Sequence, residues 1–208
     1  MRNAEDFNRY YATVDPWKIR KAAFRDHALR RATSKYSAGR SVLELGCGEG
    51  HLTQAVFGDA GSVVGVDVSD IAIARAQALG LPNASFQAAD FLDVPFAGYD
   101  VIAAIECLYY LSPAEQDAVM DKVATEHRSK PFILSVPIIG GKYFTHAGVV
   151  ALLSRHGMRL VEFRNVTVHW DTPVKRTVQI ALRLMPLRDR LIDYVPSGLI
   201  YQRCYVAT

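Results

Sequence analysis

Cysteine is scarce in this sequence. Cys47, Cys107 and Cys204 are the only three among 208 residues, and no two stand at the CxxC or CxxxC spacing of redox and zinc motifs. An odd number leaves no complete disulfide framework, so reduced thiols and a cytoplasmic location are expected. Long apolar runs are missing too. The best stretch, Thr177 to Leu187, is interrupted by Gln179, Arg183 and Pro186, short of the ~18–20 residues that a membrane span needs. The opening Met1-Arg2-Asn3-Ala4-Glu5-Asp6 has no apolar targeting core. No two histidines have metal-ligand spacing and no Asp…Asp-Asn carboxylate set is present, so no metal is expected. There is no internal repeat and no low-complexity tract.

What is present is the composition of a soluble globular chain, 50% hydrophobic and 22% charged. The length suits one core, so residues 1–208 are read as a single domain. Its charge is unevenly placed. Residues 1–40 hold ten Lys/Arg against four Asp/Glu, residues 41–149 five against thirteen, and residues 150–208 nine against four. Basic ends around an acidic middle either flank an anionic ligand or simply decorate exposed helices.

Residues 6–36 read as helix, broken at Val14-Asp15-Pro16, because proline disfavours helix in the residue before it. From Ser41 short apolar runs alternate with helical patterns. Strands are predicted at Ser41–Leu45, Ser62–Asp67, Ala84–Ala89, Tyr99–Ile105 and Phe132–Val136. Helices are predicted at His51–Phe57, Ile71–Leu79 (Ser69 as N-cap), Pro113–Glu126 and His146–Arg155 (Thr145 as N-cap). Two further strands, Met158–Val168 and Leu199–Val206, flank a segment, 174–193, that leans to helix with a break at Pro186. This alternation implies an α/β doubly wound, mostly parallel sheet, and the last two strands, lacking the usual crossover, suggest an antiparallel edge.

The strongest motif is Glu44-Leu45-Gly46-Cys47-Gly48-Glu49-Gly50 between the first strand and first helix. Glycines there let backbone approach a ligand closely. A dinucleotide fingerprint would read GxGxxG and cradle a pyrophosphate. Here the pattern is GxGxG, and Glu44 and Glu49 would repel a pyrophosphate but suit a ligand carrying an ammonium and a sulfonium. Asp67 closes the second strand about twenty residues on, where a carboxylate can accept ribose hydroxyls. Asp90-Phe91 follows the third, an acceptor for an adenine amino group beside an aromatic wall. Acids at consecutive strand ends converge on one crevice, since ligands in this architecture bind outside the carboxyl ends of the strands.

These residues resemble class I S-adenosylmethionine-dependent methyltransferases. More narrowly, Asp15-Pro16-Trp17, Phe24-Arg25 and Ala104-Ile105-Glu106-Cys107-Leu108-Tyr109-Tyr110-Leu111 make residues 10–130 similar to the nodulation-factor (chito-oligosaccharide) N-methyltransferase family. The resemblance implies a Rossmann-like methyltransferase fold with a helical cap (1–40), a cofactor-binding core (41–136) and a substrate-side part (137–208). It implies S-adenosyl-L-methionine as cofactor, held by Arg25, Glu44, Gly46, Gly48, Asp67, Val68, Asp90 and Phe91, with Arg25 on its carboxylate. It also implies a small-molecule acceptor, saccharide-like or anionic, methylated on nitrogen or oxygen.

Glu106, after the fourth strand, is a candidate base, or else it orders the cofactor or caps the next helix. Tyr109 is a candidate acid/base group, or with Tyr110 part of the pocket wall. His146, at a helix start after the fifth strand, is a second candidate base, or a solvated histidine. Tyr11, Trp17, Tyr110 and Tyr143 are expected to meet substrate, the first two from a lid that would exclude water. Two other functions stay open. One is a nucleic-acid or protein methyltransferase, against which Glu106-Cys107-Leu108-Tyr109 stands in place of Asp/Asn-Pro-Pro-Tyr. The other is a non-catalytic cofactor-binding partner subunit. Oligomeric state is not legible.

Overall fold

The structure, a computed structural model, describes residues 4–19, 22–140, 143–169, 173–185 and 191–208. Strands β1 (Ser41–Leu45), β2 (Ser62–Asp67), β3 (Ala84–Ala88), β4 (Val101–Ile105), β5 (Phe132–Pro137), β6 (Leu160–Val168) and β7 (Ile200–Ala207) form one sheet in the order β3-β2-β1-β4-β5-β7-β6. The first five are mutually parallel, with β1 between β2 and β4. The antiparallel strand is β7, which runs between β5 and the edge strand β6 and pairs with both.

Alternation along each strand sends side chains to two cores. In β1 and β4, Leu43, Leu45, Ile102 and Ala104 face helices α5 (Pro113–Glu126) and α6 (His146–Arg155) through Met120, Val123 and Leu152. Val42, Val101, Ala103 and Ile105 face α2 (Ala23–Ser37) and α3 (His51–Val56) through Leu29 and Val56. Both faces are covered, which is why β4 is a continuous apolar run and β5 one broken by Ser135 alone, both buried at every position. Helix α4 (Asp70–Ala78) starts at Ser69, whose hydroxyl accepts the Ala72 amide, as its cap position predicts. Strand β4 begins at Val101, two residues later than the apolar pattern suggests. Asp100 is turned aside by hydrogen bonds to Ser41, whose amide and hydroxyl both donate to its carboxylate.

Helix α1 (Ala4–Tyr11) lies against the start of α4: Asn8 donates to Asp70 at 2.7 Å and accepts from the Ser69 hydroxyl at 2.6 Å. That contact carries the N-terminal segment over the carboxyl ends of the parallel strands. Between β6 and β7 the chain forms helix α7 (Pro173–Leu184) and 3₁₀ turns at Ile192–Tyr194 and Ser197–Leu199. The expected break at Pro186 lies outside the described residues. No helix among the described residues is long and apolar enough to cross a membrane.

Candidate active site

At the end of β1 the backbone turns through Gly46 (φ +68°) and Gly48 (φ +53°), a conformation that side-chain-bearing residues rarely adopt. Space demands glycine as well. A Cβ at Gly46 would stand 2.6 Å from the Cys107 Cβ, and one at Gly48 2.5 Å from the Tyr11 hydroxyl. Asp67, at the end of β2, is nearly buried and joins two loops: it accepts the amides of Gly48 and Ser69, each at 3.0 Å. Burial raises its pKa, and these backbone donors oppose that rise. Asp90 accepts the Leu92 amide at 2.9 Å. Gly46, Gly48, Asp67, Val68, Asp90 and Phe91 thus line one open cleft.

Two residues assigned to the cofactor behave differently. Glu44 does not line the cleft. Strand alternation turns it to the opposite side from Leu43 and Leu45, under α3, where Thr53 donates to it at 2.5 Å. Burial pushes its pKa up to about 7. Its visible role is to tie β1 to α3. Arg25 does line the cleft, but its guanidinium is engaged with Asp26 at 2.8 Å, the Ile19 carbonyl at 3.1 Å and Glu106 at 3.5 Å. Tyr11, expected at the substrate, instead puts its hydroxyl beside Gly48 on the glycine turn. Burial is the main cause raising its pKa.

Glu106 follows β4 with φ +58°, a strained conformation for glutamate. Its carboxylate accepts Gln202 Nε2 at 2.8 Å on one oxygen and faces Arg25 on the other. Gln202 also donates to Ser135 at 3.0 Å, so β5 and β7 together fix this side chain. Around it stand rings: Tyr109 and Tyr110 at 4.5 Å between centroids, Trp17 at 6.2 Å and Phe7 at 5.6 Å from Tyr110, and Tyr143 at 5.3 Å from Tyr109. The Tyr109 pKa is raised, first by burial and then by Tyr110 and Glu106, so the phenol stays neutral. Tyr143 reaches this group through Tyr109 without lining the cleft itself.

His146 is not brought to the cleft. It begins α6 as predicted, but packs against Phe163 and Tyr205, with Nδ1 3.1 Å from the Tyr205 hydroxyl. Its pKa is lowered by burial and by Arg203. The imidazole is therefore neutral but turned to the β6–β7 side, and its assignment as a base is withdrawn.

Gln202 and Phe7 were missed by sequence reasoning, because nothing local marks a glutamine in a late strand or a ring in the first helix. Sequence spacing also missed Asp15, Glu49 and His51, whose potential ligand atoms lie within 4.8 Å of one another. The Glu49 oxygens already have partners, Arg75 at 2.6 Å on one and the Asp15 amide at 2.9 Å on the other. His51 Nε2 lies 3.3 Å from Glu49. Glu49 therefore ties the Asp15 segment to the glycine turn.

Strand order, glycine turn and acid-lined cleft define a class I methyltransferase fold. Residues 42–128 match the family model described as a methyltransferase domain. An uncharacterized methyltransferase of Synechocystis sp. is 30% identical over 101 residues, covering 48% of this chain and 47% of that protein. The chain thus spans about half the length or less of the curated relatives it matches. Among solved structures, a putative methyltransferase from Haloferax volcanii in complex with the Trm112 methyltransferase activator superposes with a TM-score of 0.71. It is 20% identical, with 99% of this chain and 96% of that one covered. The N-methyltransferase NodS of Bradyrhizobium japonicum, in complex with S-adenosyl-L-homocysteine, gives a TM-score of 0.67. It is 19% identical, with 98% and 95% covered. The chain has the class I methyltransferase fold, and residues 42–128 carry the methyltransferase-domain match; solved structures of that fold include ones holding S-adenosyl-L-methionine or S-adenosyl-L-homocysteine.

Proposed function

We propose that the protein transfers the methyl group of S-adenosylmethionine to a nitrogen or oxygen nucleophile of a polar, saccharide-like small molecule. The observation that carries this reading is the placement of Glu106. It is a carboxylate held by Gln202 and Arg25, in a cleft walled by Trp17, Tyr109 and Tyr110. The cofactor supplies an electrophilic methyl on a sulfonium, which leaves as a neutral thioether. Asp67 would accept ribose hydroxyls, Asp90 and Phe91 would meet the adenine, and the glycine turn lets the backbone close on the ligand. Trp17 and the neighbouring rings offer flat faces for sugar C–H groups or a cationic amine, and exclude water.

Holding the acceptor lone pair in line with the sulfur–methyl bond supplies most of the acceleration. An alcohol or ammonium acceptor must also lose a proton, and Glu106 would take it. Its hydrogen bond from Gln202 aims the carboxylate at the acceptor. The test is transfer of labelled methyl from the cofactor to panels of saccharides, amines and phenols, beside tRNA and protein extracts. Label on a small molecule, saccharides first, is the expected result. Label only on nucleic acid or protein would replace this reading with the macromolecular one, which the basic chain ends favour. Cofactor binding with no acceptor labelled would favour a non-catalytic partner subunit.

A further inference from the structure

The outer side of α7 exposes large apolar side chains beside Arg176 and Thr177, where a surface helix should be polar throughout. Val178 and Leu182, one turn apart, pack inward on Phe24, Val168 and Ile200. Ile180 and Leu184, two residues on from each, fall on the opposite face by the helical period. They are 58% and 81% exposed, and Met185 beside them is also exposed. Tyr194, 85% exposed, and Leu191 follow a short way along the chain. Five of the eleven exposed large hydrophobics among the described residues therefore fall between positions 180 and 194. Ile180, Leu184 and Met185, close together at the end of α7, are more than single scattered exposures.

The charge of the same segment says what covers it. Residues 173–194 carry Lys175, Arg176, Arg183, Arg188 and Arg190 against Asp189 and Asp193. Asp193 is ion-paired to Arg31 at 2.8 Å and Arg164 at 3.2 Å. An apolar ridge in a cationic segment is the pattern of a helix lying in the headgroup plane of an anionic bilayer. A second copy of the chain fits worse, because a two-fold contact would bring together two segments of the same net positive charge. The inner face of the same helix reaches toward the cleft: Leu182 shares a buried cluster with Phe24, next to the cleft-lining Arg25, and with Ile200, two residues before the Gln202 that holds Glu106.

We infer that the outer face of α7, with Ile180 and Leu184 at its centre, docks the enzyme on an anionic membrane surface. The experiment is co-sedimentation of the full chain with phosphatidylcholine vesicles and with mixed phosphatidylcholine–phosphatidylglycerol vesicles, at low and high salt. Binding is expected to the anionic vesicles, weakened by salt, and reduced about tenfold or more by the double substitution Ile180→Asp/Leu184→Asp. Calorimetric affinity for S-adenosylmethionine should be unchanged in that variant. Should it fail to fold, Leu184→Ser gives the same comparison with a smaller loss. No sedimentation with anionic vesicles at low salt overturns the inference, as does equal binding of wild type and variant, or equal binding to neutral vesicles. A wild-type dimer in sedimentation velocity that the double substitution dissolves would assign the face to a second copy instead. None of these readouts requires methyl transfer, so the inference can fail while the proposed activity stands.

Discussion

Removing the Asp67 carboxylate tests the cofactor site most directly. A carboxylate offers about four lone-pair positions. The Gly48 and Ser69 amides take two at 3.0 Å each, which leaves about two for ribose hydroxyls. Asp67→Ala abolishes both ligand bonds at a nearly buried position, a loss of about 1.5–3 kcal/mol in binding, or roughly ten- to a hundredfold in affinity. It also strands two loop amides, and folding stability should fall by about 1–3 kcal/mol. Relief of the desolvation that raises the Asp67 pKa offsets part of that loss. Asp67→Asn is no gentler, since its amide nitrogen must face either the Gly48 or the Ser69 N–H, donor against donor. Isothermal calorimetry with S-adenosylmethionine, on variants shown to be folded by circular dichroism, reads the effect. Wild-type affinity in folded Asp67→Ala would refute the ribose assignment, and wild-type affinity in Asp67→Asn would refute the accounting of acceptors.

Three further results are expected. Glu106→Gln keeps the shape of the side chain and removes the proton acceptor, so turnover should drop about 10²–10⁴-fold with donor affinity little changed. A variant that keeps its rate but binds donor weakly would make Glu106 a cofactor contact. Glu44 has a folded-state pKa raised to about 7 from 4.5. Its contribution to stability is therefore full below about pH 4.5 and is lost as pH rises through about 7, a change of up to about 3 kcal/mol. Glu44→Gln still accepts from Thr53, so its melting temperature should exceed wild type at pH 8 and converge with it near pH 4. Parallel melting curves across that range would show that Glu44 ionises freely. Turnover should survive exhaustive chelation, because Arg75 and the Asp15 amide occupy the Glu49 oxygens; loss with EDTA and return with a divalent metal would make Asp15, Glu49 and His51 a metal site.

The sequence alone determined the fold class and picked out Gly46, Gly48, Asp67 and Asp90, which the fold gathers in one cleft. Both are written locally: apolar runs of strand length, caps at Ser69 and Thr145, and a glycine turn with Asp67 and Asp90 at the ends of the next strands. Backbone geometry at a strand end depends on a few adjacent residues, so a short motif can specify it. Tertiary structure decided the rest. Glu44 stands within the motif, yet strand alternation under α3 buries it against Thr53, and His146 starts its helix where expected but faces Tyr205. The partner that aims Glu106 is Gln202, 96 residues away. The antiparallel ending was legible, but the insertion of β7 between β5 and β6, in the register that sets Gln202 opposite Pro137, is decided by the packing of the whole sheet.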